Sequence, residues 1–391
     1  MERAVIVEGA RTPVGKFLGA FADVPAVDLG VAAVREALRR AGIEPGDVDE
    51  VILGHARQAG NGPNTGRQVA VRAGVPQEVN SYNVNMACGS GMKALQLAAQ
   101  EIALGNDQVV VAGGMENMSR VPFLLERMRT GYRMGDAEAV DGMYRDGFVD
   151  PLCGLVMGET AENLARMYAI SRQEQDEFAL ESQRKAAEGA ERRGRELFPM
   201  EVPTGRGTRA AEADEHPRPD TTLEGLAKLP PVFDPEHGTV TAGNSSGITD
   251  GAAALVLMSE SRARAEGREP LARIVAFAQA GVDPSIMGIG PVPATRRILE
   301  RTGLTMRDFD LVEINEAFAA QVLACDRELK FDRERLNVKG GAISVGHPIG
   351  MSGARIVLSL AYELRERGAS LGLATLCISG GQGMSVILER A

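Results

Sequence analysis

The apolar positions along the chain fall into two periods. Short runs such as AVIVEGA from Ala4, VILG from Val51, QVVVAGGM from Gln108, AALVLMS from Ala253 and LGLATLCI from Leu371 are apolar almost throughout, the pattern of strands buried on both faces. Between them, stretches such as VREALRRAG from Val34, KALQLAAQEIALG from Lys93 and RRILERTG from Arg296 repeat apolar residues every three or four positions. Each stops at glycine, as amphipathic helices do. Strands alternating with helices predict an α/β fold.

The pattern also repeats. Residues 35–56 and 296–317 share a helix, a glycine stop, a turn and an apolar strand at an offset of 261 residues, from Gly42 to Gly303. A second pair, SGMKALQLAAQEIALGN from Ser90 and SGARIVLSLAYELRERG from Ser352, is offset by 262 residues. Two similar α/β halves are expected, each carrying a buried helix after a tight turn. Between them, residues 119–244 lose the alternation. This stretch predicts two helices, GETAENLARMYA and a second one opened by Ser171 with Glu174 three residues on, the signature of a capping box. The proline-broken run from His216 to Gly238 reads as an irregular loop. The division expected is 1–118 with 245–268 for the first half, 119–244 for an inserted loop domain, and 269–391 for the second half.

Composition narrows the function. The 391 residues are 44% hydrophobic and 25% charged, with net charge −10, which argues against a general nucleic-acid binder but leaves room for an anionic small ligand held by local cations. No apolar run approaches the ~18 residues that span a membrane, and MERAVIVEGARTP has no basic segment leading an apolar core, so a cytoplasmic protein with free thiols is expected. The four cysteines, Cys88, Cys153, Cys325 and Cys377, fit no metal-ligand spacing. No metal is expected.

Three glycine-rich turns carry candidate chemistry. In SYNVNMACGSGMKA an apolar strand reaches Cys88 and a Gly-Ser-Gly turn opens a helix. The helix dipole is expected to lower the thiol pKa there, although a small core cysteine fits the same pattern. In GGAISVGHPIGMSGAR, His347 sits between Gly346 and Pro348, and the repeat sets its turn opposite that of Cys88. It is either a base for the thiol or a turn histidine. In LATLCISGGQG, Cys377 ends an apolar strand before a turn whose N–H groups suit an anion, or it is a core cysteine. In VEINEAFAAQ, Asn315 either caps the following helix or polarises a carbonyl or holds a water.

RTPVGKFLGAF (11–21), NMACGSGMKA, AGGMENMS (112–119), MGETAENLA (157–165), TAGNSSGITDGAAA (241–254), NEAFAA, GGAISVGHPIGMSGAR and CISGGQG resemble, in order and over essentially the whole chain, the signature blocks of the thiolase family. The resemblance implies a five-layer α/β/α/β/α sandwich of two similar halves with an inserted loop domain. It implies an acetyl-CoA C-acyltransferase working on acetoacetyl-CoA or a broader set of 3-ketoacyl-CoA thioesters. Cys88 resembles the acyl-accepting nucleophile, His347 its base, and Cys377 the acid/base for carbon. Asn315 with His347, and the N–H groups of Cys88 and Ser379, resemble the oxyanion sites. Arg218, Ser246, Ala317 and Phe318 match positions near coenzyme A, and Met157 one near the acyl pocket. Coenzyme A enters as substrate or product, and no resident cofactor is implied. Residues 123–136 resemble the loop that joins dimers into tetramers, so a homotetramer, acting in fatty acid metabolism, is expected.

Four positions depart from the pattern. Val156 stands where acetoacetyl-CoA-type members commonly carry histidine, Ser379 where many have glycine, Lys339 where asparagine is frequent, and Gly225 where some carry serine. Other readings weighed are a decarboxylating ketoacyl synthase, a non-catalytic thiolase-like lipid carrier, and a dinucleotide enzyme. No GxGxxG follows the first strand in the context that last reading requires.

Overall fold

The computed structural model describes residues 2–205 and 207–391. The first half builds five strands in the order Asn80–Val84, Glu50–Gly54, Val109–Asn117, Thr249–Ser259, Ala4–Arg11. The first three are parallel and the last two antiparallel to their neighbours. The second half repeats the plan. Leu311–Ile314 pairs in parallel with Leu371–Ile378, followed by antiparallel Gln382–Arg390 and Ala272–Gly281. A parallel bridge from Val312 to Leu336 stands at the place of the fifth strand. Val109 and Leu371 open corresponding strands 262 residues apart, the offset read from the sequence. The halves join edge to edge where Val5 and Ile6 face Arg273 and Ala272, and the two-residue strand Gly15–Lys16 completes a ten-stranded sheet.

Strand alternation explains the layering. On Val109–Asn117, Val110 and Ala112 face a central core shared with Met92, Leu95 and Ala98 of the helix Ser90–Leu104, and with Ala354, Ile356 and Leu358 of the helix Ile349–Arg367. Leu376, Val386 and Leu388 close that core from the second half. Val109 and Val111 face the opposite way, into a core with the helices Ala26–Ala41 and Thr65–Ala73. Val312, Leu373 and Ile387 do the same against the helices Pro291–Thr302 and Ala319–Leu329. Helix, sheet, helix pair, sheet, helix is the five-layer sandwich. The central helices touch closely: a Cβ on Gly353 would lie 2.5 Å from the Met92 backbone nitrogen, so only glycine fits.

The segment between the halves carries the two expected helices, Met157–Met167 and Arg172–Glu188, the second capped by Ser171 and Glu174. Its carboxylates also tie the halves together. Glu196 pairs with buried Arg11 at 3.0 Å and with Lys339, and Asp214 pairs with Arg11 at 2.7 Å and Arg193 at 3.1 Å. Burial alone would raise the Glu196 carboxyl, yet Lys339 and Arg11 hold it down to about 2. Lys339 thus has a structural partner that the expected asparagine could not match by charge. The loop 216–238 is irregular, apart from the single short helix Leu223–Ala227.

Candidate functional site

The strand Asn80–Val84 delivers the chain to a sharp turn in which Ala87 takes φ +45°, a left-handed conformation costly for a residue with a Cβ. Ser90 braces the turn, donating to the Ala87 carbonyl (2.6 Å) and accepting from the Met86 N–H (2.9 Å). Cys88 follows, two residues before the helix Ser90–Leu104, and faces an apolar cavity of about 280 Å³. One expectation is overturned: the thiol pKa is raised, not lowered. Burial outweighs the Arg57 guanidinium and the N–H groups of Ser379 and Cys88 itself, which favour the thiolate.

His347 lies on the cavity wall directly before the helix Ile349–Arg367. Its Nδ1 is 2.6 Å from the Ser352 hydroxyl, and that hydroxyl donates to the Pro348 carbonyl (2.8 Å). The hydroxyl therefore accepts from Nδ1–H, which leaves Nε2 bare. Burial, with Arg355 and Arg57 nearby, pushes the imidazole down to about 3. It is neutral at physiological pH, as a base must be. Asn315 Nδ2 stands 3.5 Å from that Nε2. The helix after it begins only at Ala319, with Phe318 at the cap position, so Asn315 neither opens nor caps it. Its Oδ1 is buried without a partner, the arrangement that a bound water would complete.

Cys377 ends the strand Leu371–Ile378 on the same cavity. Burial, and then the neighbouring Cys88, raise its thiol well above the usual range, so it stays protonated. Ser379 follows with an ordinary φ. The left-handed positions are Gly380 and Gly381, so serine carries no backbone strain here. The Asp150 carboxylate accepts from the Gly380 N–H (2.8 Å) and fixes the turn that aims the Ser379 N–H at Cys88. Glycine lets the turns meet: a Cβ on Gly89 would lie 2.5 Å from Ile378 Cδ1, and one on Gly114 2.1 Å from the Gly350 carbonyl oxygen.

Met157, Ser246, Ala317 and Phe318 all line the cavity, as does Val156, an apolar wall where histidine is common in acetoacetyl-CoA-type members. Ser246 N–H donates to the Ala317 carbonyl (2.9 Å), and Phe318 packs edge-on to Phe233 at 6.4 Å. Arg218 is exposed and does not line the cavity; its backbone N–H bonds Gln183. Cys153 is also off the cavity wall, and Cys325 is buried with its Sγ directed at the Gly288 carbonyl. Sequence reasoning missed Arg57, Asp150 and Phe233. Nothing in HARQAG, FVDPL or PPVFDP marks them; only the fold brings them to the site. Among the described residues no cluster of His, Cys, Asp and Glu could hold a metal.

Known proteins match along the whole chain. The thiolase N-terminal domain matches residues 4–261 and the thiolase C-terminal domain residues 268–390. The acetyl-CoA acetyltransferase of Rhizobium meliloti is 52% identical, over 99% of this chain and 98% of its own. The crystal structure of the Bacillus anthracis acetyl-CoA acetyltransferase superposes with TM-score 0.97 at 47% identity, covering 100% of this chain and 99% of that one. Human mitochondrial 3-ketoacyl-CoA thiolase in complex with CoA gives TM-score 0.95 at 42% identity, covering 100% and 98%.

Proposed function

This chain belongs to the thiolase family, and from that premise we propose that Cys88, His347 and Cys377 perform its reaction. The activity is acyl transfer between coenzyme A thioesters through a cysteine acyl-enzyme, as thiolysis of a 3-ketoacyl-CoA or as its reverse, the Claisen condensation. The assignment of roles rests on one observation: two thiols from different halves and one neutral imidazole with a bare Nε2 face a single cavity.

In thiolysis, Cys88 Sγ attacks the 3-keto carbon while its proton passes to His347 Nε2. The raised thiol pKa and the low imidazole pKa favour a neutral resting pair, so proton transfer accompanies attack. The bond between C2 and C3 then breaks. The electron pair goes to the enolate of acetyl-CoA, and the protonated Cys377 delivers its proton to C2. Free coenzyme A next gives its thiol proton to the Cys377 thiolate and attacks the acyl-Cys88 thioester; the Cys88 thiolate leaves and takes back the proton from His347, and the acyl group departs as a new CoA thioester. The Ser379 N–H, directed at Cys88, and the Asn315–His347 pair serve as the oxyanion donors, and each such donor lowers the barrier by ~3 kcal/mol.

Phe233, Phe318, Ser246 and Ala317 form the slot for the pantetheine arm, with exposed Arg218 available to the nucleotide phosphates outside it. The chemistry uses no resident cofactor. No helix among the described residues is long and apolar enough to cross a membrane, and a cytoplasmic enzyme of fatty acid metabolism fits its four free cysteines. The hairpin strands Phe123–Leu124 and Val140–Asp141 frame a loop exposing Phe123, Leu125, Met128 and Met134, apolar surface that supports assembly into a homotetramer. The test is thiolysis of acetoacetyl-CoA by the wild type and by C88A; full activity in C88A would overturn the nucleophile.

A further inference from the structure

Among the described residues, Arg57 is the one Lys or Arg side chain on the wall of the catalytic cavity. It is 9% exposed, and among the described residues its guanidinium has neither an ion pair nor a hydrogen bond; the Nε is buried and orphaned. The nearby Glu116 carboxylate does not neutralise it by contact. Its oxygens accept from the N–H groups of Ala56, Arg57 and Gly350, and one lies 3.3 Å from His55 Nε2. The fold wedges the guanidinium in place, since a Cβ on Gly147 would come within 2.8 Å of Arg57 Nε. Around it the wall is apolar: Met118, Phe148 and Ile349 pack with Ala56 and Cys88 in one cluster.

A buried cation without a partner is costly, and the cost is recovered when a ligand brings the counter-charge. Phe233 and Phe318, assigned to the pantetheine arm, pack in a different hydrophobic cluster from the one that holds Cys88, Ala56 and Phe148. Arg57 therefore adjoins the acyl side of the nucleophile. Resting on the thiolase reading, we propose that Arg57 receives a carboxylate on the far end of the acyl chain, so that the preferred substrates include 3-ketoacyl-CoA thioesters ending in a carboxylate. A guanidinium can grip such a group with two parallel N–H donors. The same charge also favours the Cys88 thiolate, so the experiment must separate the two effects.

The test compares thiolysis of two six-carbon 3-ketoacyl-CoA thioesters, one ending in methyl and one in carboxylate, and reads the ratio of their kcat/KM values. An effect on Cys88 changes both rates and cancels from the ratio. In the wild type the carboxylate substrate should be favoured, and R57M should lower the ratio by about 10- to 100-fold. R57K, which keeps the charge without the planar fork, should give an intermediate ratio and serves alone if R57M does not fold. A wild type that rejects the carboxylate substrate, or a ratio the same in wild type and variants, overturns the proposal. Absence of turnover with all three thioesters, the carboxylate-ended and methyl-ended substrates and acetoacetyl-CoA, would instead overturn the thiolase reading.

Discussion

At the residue scale, the site combines groups kept neutral until substrate arrives. His347 is the clearest case. Its folded pKa of about 3 lies below the ordinary value of 6.5, so between those values the unfolded chain binds the extra proton. Stability is fully present above pH 6.5 and is lost as pH falls toward 3. H347N should keep stability over that interval that the wild type loses, as read by thermal unfolding at stepped pH. For Cys377 the expected outcome is a split. C377S should lose condensation of acetyl-CoA by ~10⁴-fold while Cys88 still accepts an acyl group, detected as added mass on the intact protein. Condensation retained in C377S would remove its role in proton transfer.

Legibility also divides at this scale. Cys88, His347 and Cys377 each sit in a turn whose glycines announce it. Arg57 and Asp150 could not be found, because their meaning comes from cavity walls built by chain neighbours tens of residues apart. The thiol pKa was misread because a helix dipole can be inferred from a Gly-Ser-Gly turn, whereas the desolvation that outweighs it depends on packing from both halves.

At the element scale, the duplicated helices make the site. Ser90–Leu104 and Ile349–Arg367 carry the Cys88 and His347 turns at their N-terminal ends, so their crossing sets how those turns meet. Gly353 is the contact where they touch, and G353A, whose Cβ would lie 2.5 Å from the Met92 nitrogen, should cost about 1–3 kcal/mol in urea unfolding. An unchanged midpoint would mean the helices part easily. The repeat, the buried strands and the capped helix at Ser171 were readable because each follows from a local period or a cap. The edge-to-edge joining of the sheets was not, since Val5 and Ile6 meet Arg273 and Ala272 through only two register pairs.

At the scale of the whole molecule, the segment between the halves is more than a cover. Its Glu196 and Asp214 bind Arg11 of the first half, and Glu196 also binds Lys339 of the second. K339M leaves Glu196 held only by Arg11 and Ser359 and should cost about 1–3 kcal/mol. Denaturant midpoints would register it, and an unshifted one would contradict the tie. The proposed tetramer is tested by light scattering: the wild type should read as a tetramer, M134D combined with F123K should read as a dimer, and a wild-type monomer would contradict it.

The most direct test of the catalytic account is to mix the protein with acetoacetyl-CoA without free coenzyme A, quench in acid, digest and map the modified peptide by mass spectrometry. An acetyl group on Cys88, absent from Cys377, Cys153 and Cys325, is the predicted result. An acetyl group on any other cysteine, or on none while turnover proceeds, would contradict it.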